Sequence, residues 1–406
     1  MNVWSGRKKT LTVFLFLLPT IIAILIFNIY PILLNTYISF TNRNKFRPNP
    51  DCSVALTGVL DPLCWPSFRE NAPTGLGSPY KVADPVYKNY KDLLGTLFTG
   101  DALTALLKIF AAFVPLIIAW QVDKRQGKKV TRDVGSGLIW LIGLIAGVLV
   151  AMLVGFSGAF KTLMTTGDFI VVVFRTLLFV LIRVPLTFLI GFVLAMILNN
   201  NNLPGKTFFR VLLFLPWGAS SVAILVALIW QFLFREQGTI NQVLGVLFNI
   251  APKVWLNDPT SAFGVIVLAD TWFSYPFVMV VILGALQSIP AELYEAAEVD
   301  GATWWHKIRS ITLPLIRPAV LPAMVLTSIT AFQMFGTAFA ITAGGPQTGA
   351  NTPGSTEFVM VYAYRQIFQS QNYGLATAFA VMIFIMLFAA TLYSLRITRI
   401  TKGAYE

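Results

Sequence analysis

The chain has 406 residues, of which 56% are hydrophobic and 12% charged, and its formal net charge is +12. So large an apolar share does not fit inside a water-soluble core, and it falls in runs long enough to cross a hydrocarbon layer of about 30 Å as helices. Short alternating segments of the barrel type are absent, and the basic residues flank apolar runs instead of forming one patch, which excludes nucleic acid and points to membrane lipid.

Eight spans are expected, at about 11–40, 102–121, 136–156, 169–198, 208–234, 262–289, 315–342 and 374–397, making an all-α polytopic membrane protein. The first follows Arg7-Lys8-Lys9. Its apolar run is too long for a signal-peptide core and no small-x-small pattern follows, so it reads as an uncleaved span. The loop 41–101 carries prolines at 48, 50, 62, 66, 73, 79 and 85 and little periodicity, which predicts an irregular extracytoplasmic cap. Both cysteines, Cys52 and Cys64, fall in it. Outside the cytoplasm a disulfide between them is the expectation, with two free thiols as the alternative; two thiols without a nearby histidine do not make a metal site.

The fourth span holds Arg175 and Arg183. An arginine near mid-membrane costs roughly 2.5–3.5 kcal/mol, so it needs a partner. Asp270 in the sixth span is the candidate, paired with Arg183 (or Arg175), to fix span packing or line a path. The alternative, snorkelling to an interface, suits Arg175 and not Arg183. Between the fourth and fifth spans, Asn199–Asn202 form a short polar tract, and Gly205-Lys206-Thr207 mimics a phosphate loop. A phosphate loop needs a glycine at position 200, which is Asn, and a preceding strand, so ATP binding by this chain is excluded.

Residues 290–314 are a polar island between two apolar spans. Glu292–Ala297 suit a helix begun by Ser288 or Pro290, Gly301 suits a turn, Trp304 and Trp305 suit an interface, and Pro314 marks the entry to the next span. His306, the one histidine, has no catalytic or metal partners and fits an exposed or interface position. No metal-ligand cluster or nucleophile set appears, which argues against an enzyme. With the N-terminus inside, the inner segments hold Arg7, Lys8, Lys9, Lys124, Arg125, Lys128, Lys129, Arg132, Lys206, Arg210, Lys307, Arg309, Arg317, Arg396, Arg399 and Lys402. The basic residues outside fall mostly in the long loop, so the short-loop bias places both termini and 290–314 in the cytoplasm.

The spacing Glu295-Ala296-Ala297, Gly301, Ile311, Leu313 and Pro314 resembles the signature loop of the membrane subunits of binding-protein-dependent ABC importers. The resemblance covers about 169–400 and looks closest to the larger membrane subunit of maltose-type sugar importers. It is carried further by FRVLLFLPWGASSV (209–222), TWFSYPFVMVVILGALQSIP (271–290), FAITAGGP (339–346) and NYGLATA (372–378), and near the N-terminus by Pro31, TYISFT (36–41) and NYKDLL (89–94). It implies a type I importer permease architecture. The N-terminal helix would be 1–40, the outer loop 41–101, an inserted pair of spans 102–156, and the permease core 157–400 with its coupling loop at 290–314.

By the same resemblance, Glu295, Ala296, Ala297, Gly301, Ile311, Leu313 and Pro314 would dock the ATPase, with Glu295 and Gly301 foremost. Sugar would meet Trp217, Ser221, Phe273, Ser274, Phe277, Thr327, Thr330, Ala331 and Met334. Relatives carry an aromatic and asparagines on the seventh span where this chain has Thr330, Ala331 and Met334, which puts maltose itself in doubt. The chain would bind no cofactor, and ATP and magnesium would belong to two partner ATPase subunits. A second, similar permease subunit would complete the pore as a heterodimer. An extracytoplasmic solute-binding protein would deliver the cargo to outer loops that include Gly344-Gly345-Pro346. The site would be a bacterial or archaeal plasma (inner) membrane. A non-sugar cargo, or an ion-coupled secondary transporter, are the alternatives.

Overall fold

The computed structural model describes residues 7–70, 77–97, 100–126, 136–166, 168–200, 202–347 and 353–398. Pro73, Lys128, Lys129, Arg132, Asn201, Arg399 and Lys402 lie outside the described residues. Two compact units are drawn, one from Met1–Gly95 and Ala363–Phe388, the other from Thr96–Tyr362 and Ala389–Glu406.

In the first unit, α1 (Arg7–Ile24), a π-turn (Leu25–Ile29) and α2 (Tyr30–Ser39) form one apolar rod. Phe16 and Phe27 stand exposed on it, as lipid-facing side chains do. The segment that follows contains the short helices α3 (Ala55–Leu60) and α4 (Pro66–Arg69), then α5 (Lys88–Leu97). It is tied to α2 by buried polar groups. Asn89 Nδ2 donates to the Ser39 and Thr41 carbonyls at 2.8 Å each, and Tyr37 hydrogen-bonds Thr57. Tyr80, only 1% exposed, donates to Asp61. Arg43 lies 3.5 Å from Asp61 and over the Tyr80 ring. Burial, and then the Asp61 bond, push the Tyr80 phenol well above its ordinary value. Cys52 and Cys64 are disulfide-bonded, with Cα atoms 5.5 Å apart.

In the second unit, α6 (Gly100–Gln126) pairs with α7 (Ser136–Leu153), and α8 (Phe156–Thr166) follows. The pair meets through small residues: a Cβ on Gly143 would lie 2.5 Å from Ala119 Cβ, and one on Gly147 would lie 3.3 Å from the Ala112 carbonyl. The expected end of the third span at 156 is instead a bend of 62° into α8, turned at Gly155, whose φ of +66° favours glycine.

Next come α9 (Asp168–Asn199), α10 (Lys206–Gly218), α11 (Ala223–Leu233) and α12 (Thr239–Phe248). They are followed by α13 (Pro259–Gln287), α14 (Glu292–Val299), α15 (Trp304–Lys307), α16 (Leu313–Phe332) and α17 (Gly336–Thr342), while most of α18 (Val359–Ser370) and of α19 (Tyr373–Thr398) belongs to the first unit. α13 is the buried axis. It packs on α9, where Gly191 admits the α13 backbone so closely that a Cβ would meet Met279 N at 3.0 Å. α16 covers both helices, and the apolar clusters around Phe179, Ala227 and Ile266, and around Leu198, Met279 and Ile316, fill the space between.

Among the described residues, six helices are long and apolar enough to cross a membrane, and two bent pairs bring the total to eight if each pair is one span. Two expected spans differ in detail. The fifth is broken between α10 and α11 by a 3-10 turn, Ala219–Val222, just past Pro216. The seventh begins near Trp304, not 315, and ends at Phe332, with α17 a separate helix. It starts early because a π-turn, Ile308–Thr312, carries the helix across Pro314. The first span repeats the device, with its π-turn ending two residues before Pro31. A proline lacks the N–H for the i−4 bond and crowds that carbonyl, and one extra residue in the turn accommodates both.

Candidate functional site

A cavity of about 370 Å³ opens among α9, α10, α11, α13, α16 and α17. α13 supplies Asp270, Phe273, Ser274 and Phe277, whose i, i+3, i+4, i+7 spacing puts them on one helical face. α16 supplies Leu326, Thr327 and Thr330, and Trp217 stands at the broken end of the fifth span. Arg183, Ala223 and Thr337 complete the lining. Aromatic faces opposite hydroxyls suit a hydroxylated ring.

One end of the cavity is polar. Arg183 Nε lies 2.9 Å from Asp270 Oδ2, a charge contact and not an aligned hydrogen bond. Its Nη1 donates to the Thr327 carbonyl at 2.9 Å and its Nη2 to Ser274 Oγ. Ser274 in turn donates to the Asp270 carbonyl at 2.7 Å, and Thr337 Oγ1 reaches Asp270 Oδ1 at 3.5 Å.

Of the nine positions expected to meet substrate, Trp217, Phe273, Ser274, Phe277, Thr327 and Thr330 line this cavity. The Ser221 side chain lies outside the described residues. Ala331 and Met334 are instead buried in the apolar cluster with Phe179 and Val184, and Met334 Sδ accepts from Ala338 N. Ala331 sits one residue beyond the lining face of α16, and Met334 follows the end of that helix. Thr337 had no sequence signal, because it reaches the site from α17 only after the chain has turned at Gln333–Phe335.

Arg175 does not snorkel. It is buried, and its Nη1 donates to the carbonyls of Pro353 (3.0 Å) and Gly354. The chain beyond Gly344-Gly345-Pro346 folds back over α9 and presents those carbonyls, while Val359 N donates to Thr176 Oγ1 at 3.0 Å. The carbonyl of Gly344 accepts from Thr356 N and that of Pro346 from Ser355 N.

The segment between the sixth and seventh spans is a helical hairpin. α14 is preceded by Ala291, and Ser288 closes α13 instead of opening α14. α14 ends in a Schellman pattern: Ala302 N donates to the Ala297 carbonyl at 2.8 Å and Gly301 N to the Glu298 carbonyl at 3.0 Å. Gly301 has φ +74°, a conformation that a side chain disfavours. Thr303 Oγ1 then accepts from His306 N to cap α15. The two arms are joined by Lys307 Nζ to Glu298 Oε1 at 2.6 Å and by Tyr294 with Thr312 at 3.0 Å. The Lys307 bond and charge hold the Glu298 carboxyl below its usual range. Glu295, Ala296, Gly301 and His306 are exposed, while Ile311 and Leu313 lie partly buried at the base. Val299 is 89% exposed and both tryptophans more than half exposed, so this polar loop presents an apolar tip.

The model of the family described as "Binding-protein-dependent transport system inner membrane component" matches residues 187–401. The chain is 35% identical over 241 residues to the maltose/maltodextrin transport system permease protein MalF of Vibrio vulnificus (strain YJ016), a match covering 58% of this chain and 46% of that protein. It is 37% identical over 237 residues to MalF of Escherichia coli (strain K12), covering 57% and 46%. The match thus spans about half the length of these curated relatives. A bacterial alginate ABC transporter, solved in complex with an alginate pentasaccharide-bound periplasmic protein, has a chain 24% identical at a TM-score of 0.48, covering 66% of this chain and 92% of that one. The family match takes in more than half the chain, including the hairpin and nearly all of the cavity wall, and the chain belongs to the inner membrane components of binding-protein-dependent transport systems.

Proposed function

We propose that this chain is a permease subunit of an ABC importer and forms half of an alternating-access path for a sugar of the maltose or oligosaccharide type. The observation that carries the proposal is the union, within one family-matched region, of a mid-span cavity walled by aromatic rings and hydroxyls and an exposed helical hairpin between two of its walls. The hairpin is a stiff lever. Its turn is closed by backbone bonds, its arms are joined twice, and its second arm continues through the π-turn into α16, which carries Thr327 and Thr330 to the cavity. A push on Glu295, Ala296 and Gly301 would therefore tilt a cavity wall.

In this proposal ATP and magnesium are bound by two separate ATPase subunits, and the chain performs no chemistry of its own. A second permease subunit supplies the other half of the path. A solute-binding protein presents cargo at the outer loops, including 344–346. Both termini are cytoplasmic, in a bacterial or archaeal inner membrane.

The test is ATP-dependent uptake of labelled sugars by vesicles carrying the full complex, with wild type compared with Gly301→Asp. The expected result is uptake of an α-glucoside that the variant abolishes while the complex remains assembled. Transport of a different cargo with no sugar uptake would keep the importer and overturn the sugar. Uptake without ATP, or an unimpaired variant, would overturn the coupling role of 292–314.

A further inference from the structure

Among the residues lining the cavity, Arg183 and Asp270 alone carry charge. Their charges cancel, and both side chains are nearly buried, 4% and 11% exposed. Arg183 directs one N–H of each terminal nitrogen to Thr327 and Ser274, and each of those nitrogens bears a second N–H. Asp270 Oδ2 is buried against Arg183 Nε, and its Oδ1 is reached by Thr337 Oγ1 at 3.5 Å. The polar end of the cavity thus holds guanidinium donors beside a carboxylate that already neutralises them, in a wall that also includes Trp217 and Phe273.

We propose that the Arg183–Asp270 pair acts as a charge filter: it admits neutral polyhydroxylated solutes and rejects anionic ones. This rests on the sugar-path reading above. A neutral sugar exchanges hydrogen bonds to water for bonds to the guanidinium N–H groups and the hydroxyls of the wall. An anionic sugar must shed its hydration shell, meets a wall of zero net charge, and has Asp270 as a like charge beside it. The arginine cannot repay that cost while its charge is spent on Asp270. Specificity here would come from the residue that silences the arginine, not from the arginine itself.

The test measures binding at the cavity without the binding protein, whose own selectivity would mask it. Saturation-transfer NMR on the purified importer complex, with maltotriose and trigalacturonate as probes, reports weak ligands directly. Wild type is expected to saturate maltotriose and not trigalacturonate. Asp270→Asn leaves one positive charge, and the trigalacturonate-to-maltotriose ratio should rise about tenfold, the change that 1.4 kcal/mol of discrimination corresponds to. Arg183→Gln/Asp270→Asn removes both charges and should show no such rise, which separates charge from loosened packing. Should Asp270→Asn fail to assemble, Thr330→Lys adds a positive charge to the wall with the pair intact and should produce the same gain. Equal saturation of both probes in wild type, or an unchanged ratio in the singly charged variants, overturns the filter while leaving the sugar path standing. Saturation of neither probe in wild type overturns both.

Discussion

Arg183 on α9 and Asp270 on α13 stand 2.9 Å apart, and the same guanidinium reaches the Thr327 carbonyl on α16. One side chain thus joins the three helices that wall the cavity. Removing one partner of such a buried pair strands the other, typically at about 3–5 kcal/mol, whereas removing both leaves no lone charge. Arg183→Met should therefore lower the unfolding temperature of the complex more than Arg183→Met/Asp270→Asn does. A double variant no more stable than the single would show that shape, not charge, is what the site requires.

Close helix approach at one glycine, and open space at another, give a second expectation. A Cβ at Gly143 would lie 2.5 Å from Ala119 Cβ, while one at Gly284, on the exposed side of α13, meets nothing within 4 Å. Overpacking of this kind costs about 1–3 kcal/mol. Thermal unfolding should place Gly143→Ala below wild type and Gly284→Ala beside it; similar midpoints for the two would mean that α6 and α7 separate freely.

The Cys52–Cys64 bond spans 12 positions in sequence. A cross-link closing a loop of that size is worth about 3 kcal/mol in the chain-entropy account. Cys52→Ser/Cys64→Ser should make the segment 41–97 several times more sensitive to limited proteolysis, with cleavage elsewhere unchanged. Alkylation of the unreduced wild-type protein should add no mass; two added labels would show free thiols.

Glu298 offers a pH test outside the membrane-spanning helices. Its carboxyl is held below the ordinary value, mainly by the Lys307 hydrogen bond and then by its charge. The link therefore contributes at pH above the usual glutamate value of about 4.3 and is lost as pH falls through the lowered one. Carboxyl carbon-13 titration should find this glutamate protonating below the ordinary range, and Lys307→Met should return it there. Because the pair is exposed, added salt should weaken the effect.

The hairpin was the most legible feature of the sequence. Its helix, its glycine turn and its proline entry follow from local chemistry: a left-handed turn needs glycine at 301, and no neighbouring element has to cooperate. The extent of the seventh span was less legible. Pro314 reads locally as an entry, yet a π-turn lets the helix run through it from Trp304. Arg183 and Asp270 could be matched from sequence because two charges in apolar spans have few other partners. Arg175 looked equally placed, but it donates to backbone carbonyls at 353 and 354 and lies near the charge of Glu357, in a segment about 180 residues along the chain.

By itself the sequence determined the membrane-spanning helices, the polar hairpin between two of them, and the residue types available along each helix. These depend on hydrophobic length, on backbone freedom at glycine and proline, and on charge. Only the tertiary structure decided which side of each helix faces the cavity. It brought Thr337 in from α17, sent Ala331 and Met334 into the core, and broke the fifth span beside Trp217. Facing is settled by how α9, α13 and α16 pack, and the contacts that set it, such as Gly191 on the α13 backbone, join residues far apart in the chain.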